Sequence, residues 1–182
     1  MFLRKVNRRE TIPGMDRAAR QLETLLALEE IRQVKHRYLR CLDLKLWGEI
    51  AGTFTADATA SYGTPALGGD KVELAGREAI VEFLRGKMGP GIISVHHASQ
   101  PEITVRGDAA EGTWCFQDTI IATEYRMAIH GAAFYEDRYA RGADGQWRIA
   151  HTGYQRTYEA MLSLADLKSF RLTANRWAAA DD

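Results

Sequence analysis

Four successive stretches decide the fold: IISVHHASQPEITV (92–105), EGTWCFQDTIIAT (111–123), MAIHGAAFYEDRYAR (127–141) and QWRIAHTGYQRTY (146–158). Each is rich in β-branched and aromatic residues, which suit a pleated, half-buried surface. Between them lie only Arg106-Gly107-Asp108, a short stretch around Glu124, and Gly142-Ala143-Asp144-Gly145. Connections that short join neighbouring antiparallel strands, so the reading is a meander of four long strands.

Upstream the hydrophobic period changes. Leu22, Leu25, Leu26, Ile31, Val34, Tyr38 and Leu42 recur at three- and four-residue steps through a charged background. That spacing predicts a long amphipathic helix starting near Gly14-Met15-Asp16. Leu46, Trp47, Ile50 and Phe54 suggest a short second helix, Ala58 to Tyr62 a strand, and Gly63 to Gly76 a Gly/Pro-bearing loop. Arg77 to Lys87 carries apolar residues at helical spacing ahead of the turn Gly89-Pro90-Gly91, so a third helix is expected there. Helices first and long antiparallel strands after give an α+β domain, with the helices packed on one face of a curved sheet and a concave pocket between. Residues 1–14 read as a basic extension expected to be disordered, 15–160 as the domain, and 161–182 as a tail holding a short helix and a frayed end.

A chain of 182 residues with 46% hydrophobic and 26% charged residues is the size and composition of one globular domain. Lys and Arg total 24 and Asp and Glu total 24, which removes the electrostatic footprint of a general nucleic-acid binder. No apolar run approaches the ~20 residues that span a bilayer, so no membrane partner is expected. Cys41 and Cys115 stand alone, without CxxC spacing, and no apolar segment follows the basic start; both features point to the cytoplasm.

No GxGxxG, P-loop, HExxH or GxSxG motif is present. What remains is polar residues in segments that otherwise look buried. Asp43 falls near the C-terminal end of the long helix, where the dipole disfavours a carboxylate by roughly 0.3–1 kcal/mol; it is either solvated or held by a partner. Tyr38 lies five positions earlier, about 140° around the helix, so the two share a pocket only if it wraps the helix end. His96 and His97 are adjacent in a strand, and alternation sends them to opposite faces. No Asp, Glu or Cys stands at metal-ligand spacing around them, so no metal is expected. Arg156 closes the last strand; facing a concave side with Tyr154 it could hold an oxyanion, and otherwise it is a salt bridge at the sheet edge.

Read together, these segments are familiar. Tyr38-Leu39-Arg40-Cys41-Leu42-Asp43 with Leu46-Trp47, then Val95 to Ile103, Gly131 to Tyr139, Asp144 to Trp147 and Thr152 to Arg156 resemble, in order, the SnoaL-like branch of the nuclear transport factor 2-like superfamily. Within it they are most similar to the bile acid 7α-dehydratases, over about Leu28 to Glu159. The resemblance implies a cone-shaped α+β barrel, a homo-oligomer with the trimer favoured, a hydrophobic pocket, and no metal or organic cofactor. It implies a dehydratase acting on a hydroxylated steroid-like or polycyclic ketone, taken up either free or as a coenzyme A thioester. It assigns function to Tyr38, Asp43, His96 and Arg156: His96 the base, Asp43 its orienter, Tyr38 the proton donor, Arg156 the oxyanion holder. Trp47, Tyr62, Trp114, Phe116 and Tyr135 are candidates for the apolar wall. A ketosteroid-type isomerase, a polyketide cyclase and a non-catalytic binder of small ligands are the alternatives.

Overall fold

The computed structural model describes residues 13–63 and 70–178. The helices are α1 (Pro13–Asp43), α2 (Trp47–Ala51) and α3 (Arg77–Lys87), and the strands are β1 (Phe54–Gly63), β2 (Lys71–Ala75), β3 (Ile92–Arg106), β4 (Ala109–Ala122), β5 (Met127–Arg141) and β6 (Trp147–Ser163). One six-stranded sheet runs in the order β2-β1-β6-β5-β4-β3. β3 to β6 form the expected antiparallel meander, and α1 crosses the sheet against β3 and β6. The α+β architecture with N-terminal helices on a curved sheet stands as read.

Three local expectations change. The sheet is mixed: β1 pairs with β6 in parallel, because the chain reaches β6 only after passing through α3 and the whole meander. The Gly63–Gly76 loop contains β2, which pairs antiparallel with β1 from Thr59↔Ala75 to Gly63↔Lys71. Its pattern is that of an edge strand with two buried-enough positions, Val72 and Leu74, too few to register as a period. The tail holds no helix among the described residues; β6 instead continues to Ser163, and turns follow. Met161 and Leu162, which suggested a helix, are exposed strand residues opposite Ile129 and Ala128. The basic extension lies outside the described residues as far as residue 12, and α1 already includes Pro13 and Gly14.

α1 has 31 residues and so a length of about 46 Å at 1.5 Å per residue. The sheet covers only its second half. Burial begins at Ala27 and follows the predicted steps through Ile31, Val34, Tyr38, Leu39 and Leu42, whereas Leu22, Leu25 and Leu26 are exposed. The shared core gathers Ile31, Ile50, Phe54, Ile80, Trp114, Tyr135, Tyr139 and Ile149 between α1, α3 and the concave sheet face.

Within that core lies an ionic group that spacing alone did not single out. Lys35 and Asp137 have fully buried side chains, with Lys35 Nζ 2.8 Å from Asp137 Oδ2. Tyr139 O–H donates to Asp137 Oδ2 at 2.7 Å, Thr152 O–H donates to Oδ1 at 2.7 Å, and Trp114 N–H donates to the Tyr139 oxygen at 3.0 Å. The carboxylate is thus satisfied from three sides. Lys35 Nζ also stands 3.2 Å from the centroid of the Tyr135 ring, a cation over a π face.

Candidate active site

At the end of the sheet where α1, α3, β1, β4 and β6 finish and β3 begins, a cavity of about 260 Å³ opens between the helices and the concave face. Tyr38, Tyr62, Phe83, Phe116, Tyr135 and Tyr154 form its aromatic wall, Leu42, Val72, Leu84 and Ile120 its aliphatic one, and Lys87, His96, Asp118 and Arg156 supply polar groups.

His96 enters this space by the alternation the sequence predicts. On β3, Ser94, His96 and Ala98 turn inward while His97 is exposed. β3 is an edge strand, and Asp43 at the end of α1 lies against that edge. The His96 backbone N–H donates to Asp43 Oδ2 at 2.9 Å, Ser94 O–H donates to Oδ1 at 2.8 Å, and His96 Nδ1 is 2.6 Å from Oδ1. A carboxylate can only accept, so Nδ1 carries the proton and Nε2 is left as the basic nitrogen. Asp43 is held by a partner, and the three donors outweigh the unfavourable helix end. It does not line the cavity but stands behind His96, so Tyr38 and Asp43 reach one site from different sides of the helix. The imidazole stacks on Phe116, centroids 5.7 Å apart and planes 9° apart, which fixes the ring's tilt.

Tyr38 and Tyr62 place their hydroxyls 3.2 Å apart on the wall. Burial pushes the Tyr38 phenol well above its ordinary 10, so it keeps its proton and serves as a donor. Desolvation raises Tyr62, Tyr135 and Tyr154 in the same direction.

Arg156 faces inward with Tyr154, and its strand lies inside the sheet rather than at the edge. It is not free to clamp an anion with both arms. Its two terminal nitrogens donate to the two Asp118 oxygens, each at 2.6 Å, and Glu159 lies 3.3 Å from its Nε. Asp118 holds the guanidinium in its charged form, raising Arg156 against a burial that opposes it. A methyl at Gly131 would collide with Arg156 Nη1 and approach Asp118 Oδ1 to 2.9 Å, so the missing side chain makes room for the pair.

Of the residues predicted for the wall, Tyr62, Phe116 and Tyr135 line the cavity, and Trp47 and Trp114 do not. Trp47 packs half-buried on the outside of the core. Trp114 points inward but deeper, spent on Tyr139 and edge-on to His36. Asp118, Asp137 and Lys35 were missed, though each left a signal. Asp118 shares strand parity with Trp114 and Phe116, Asp137 with Tyr135 and Tyr139, and Lys35 falls in the Ile31–Tyr38 stripe. Among the described residues no His, Cys, Asp and Glu group of three or more is arranged to hold a metal, and no helix is long and apolar enough to cross a membrane.

Comparison with known proteins agrees with this fold. The sequence pattern of the family described as SnoaL-like domain matches residues 23–153. An uncharacterized protein of Mycobacterium tuberculosis is 25% identical over 150 residues, 81% of this chain and 97% of the relative. A putative scytalone dehydratase from Novosphingobium aromaticivorans superposes with a TM-score of 0.66 at 23% identity, covering 75% of this chain and 88% of that one. The hexachlorocyclohexane dehydrochlorinase LinA-type3 from Novosphingobium barchaimii gives 0.67 at 19% identity, covering 79% and 94%. At these identities the two structures establish a shared fold.

Proposed function

Since the chain belongs to the SnoaL-like domain family, we propose that it is a lyase using its own side chains to remove water from a hydroxylated cyclic ketone. The observation that carries the reading is the dyad: Asp43 accepts from Nδ1 of His96, whose other nitrogen is left as a basic atom on a largely apolar cavity wall. Nε2 takes a proton from the carbon made acidic by the ketone, and Asp43 pairs with the imidazolium that forms. The electron pair moves into an enolate and then expels the hydroxyl as water, protonated from the Tyr38–Tyr62 phenol pair. Arg156, already neutralised by Asp118, shapes the polar end of the site. Fold neighbours named as a dehydratase and a dehydrochlorinase support elimination chemistry as the class.

A cavity of about 260 Å³ lies just below the roughly 300–1,000 Å³ of usual ligand pockets, which favours a compact ring system. The test is a mass-spectrometric turnover assay of wild type and His96→Ala. Its substrates run from monocyclic and bicyclic hydroxyketones to hydroxylated 3-keto-4-ene steroids and their coenzyme A esters. Loss of one water by wild type alone is expected, strongest among the smaller rings. A product of unchanged mass would make the enzyme an isomerase or cyclase on the same base, and binding without turnover would make it a ligand carrier.

A further inference from the structure

The end of α1 is closed in an unusual way. Leu46 N–H donates to Cys41 C=O at 2.8 Å and Lys45 N–H to Leu42 C=O at 3.2 Å, the paired bonds of a Schellman cap. The residue at the left-handed position of such a cap is usually glycine, and here it is Lys45 with φ 57°. Lys45 Nζ donates to Ile92 C=O at 2.8 Å, at the first residue of β3. It thereby ties the helix end, two residues past Asp43, to the strand that two and four residues later carries Ser94 and His96. The amine is covered in turn by Trp177 from the C-terminal segment, its ring centroid 4.7 Å away. Trp177 is itself set by its backbone N–H donating to Asn175 Oδ1 at 2.9 Å and by the Arg176 guanidinium, 5.5 Å from the ring centre. The segment after β6 therefore returns across the molecule to the outer side of the dyad.

We propose that Lys45 is a positioning residue for the Asp43–His96 dyad and that Trp177 makes the C-terminal segment a strap over it. The inference rests on the reading of that dyad as the reacting pair. Lys45 does not touch substrate; it sets the distance between the helix end bearing the carboxylate and the strand edge bearing the imidazole.

Lys45→Gly separates this role from a structural one, because glycine relieves the left-handed backbone while removing the tie. The full chain, uniformly labelled with ¹⁵N, is followed by the downfield Nδ1 proton of His96, by exchange of the His96 amide that donates to Asp43 and of the core amides, and by thermal melting. Lys45→Gly is expected to hold or raise the melting temperature, yet broaden the Nδ1 resonance and speed His96 amide exchange about fivefold to tenfold, as for one lost hydrogen bond, with Tyr135 exchange unchanged. Trp177→Ala moves the same signals by a smaller factor, and Lys45→Arg restores them. Unchanged His96 signals in Lys45→Gly would overturn the proposal, as would a lower melting temperature with all core amides accelerated alike. A Trp177→Ala variant indistinguishable from wild type would overturn the strap. If wild type turns over no substrate while Lys45→Gly still loosens the His96 signals, the brace stands and the lyase reading alone falls.

Discussion

Asp43 and Asp137 each pair helix α1 with the sheet, and their surroundings give them opposite work. Asp43 sits on the helix end and meets His96 on the edge strand, leaving the far nitrogen of its partner on a cavity. Asp137 sits on the interior strand β5 and meets Lys35 of the helix, with every side closed by Thr152, Tyr139 and the Tyr135 ring. Both carboxylates are well bonded, and bonding does not tell a reacting pair from a structural one. The difference is an outlet: a paired base with one open nitrogen can exchange a proton with a guest, whereas an enclosed pair can only hold the wall behind the guest in shape.

Asp43→Asn keeps the size of the side chain but lets Nδ1 lose its fixed proton, and turnover should fall by about two to four powers of ten with the melting temperature nearly unchanged. Equal turnover in the variant and wild type would put Asp43 in the same class as Asp137. Lys35→Ala should do the reverse, costing about 3–5 kcal/mol of stability because Asp137 stays buried without its cation. Urea denaturation measures this, and a loss under about 1 kcal/mol would mean that the hydroxyl donors alone satisfy the carboxylate. Gly131→Ala tests the third acidic site by forcing Arg156 and Asp118 apart. Overpacking of this kind costs roughly 1–3 kcal/mol, and a crystal structure of the variant should show the guanidinium displaced from the cavity wall.

A further effect is with pH. Burial holds Tyr38, Tyr62, Tyr135, Tyr139 and Tyr154 above their ordinary 10.0, so the unfolded chain gives up these protons first. A raised folded-state value means stability intact below pH 10 and lost as the pH climbs from there through the folded values. Lys35 opposes this, since burial lowers it and its penalty fades only up to 10.5. Denaturation midpoints at pH 8, 10 and 11 should be level between the first two and lower at the third. A midpoint still rising at pH 11 would show Lys35, and not the phenols, dominating the alkaline limb.

The meander, α3 and the buried half of α1 were legible because each has a clean period, two for the strands and 3.6 for the helices. β2 was hidden by its shortness. The exposed Leu22, Leu25 and Leu26 show the limit of the same rule, since a period says which residues share a face but not how far the sheet extends to cover them.

The sequence by itself determined the fold class, the strand pairs of the meander and the opposite facing of His96 and His97, all consequences of local geometry that repeats along the chain. Only the tertiary structure decided that Asp43 stands behind His96, that Asp118 occupies Arg156, that Trp114 is spent on Tyr139 while Phe116 faces the cavity, and that Trp177 returns to Lys45. These contacts join residues 25 to 132 positions apart. Their distances follow from how helix, sheet and tail pack in three dimensions, about which a one-dimensional period carries no information.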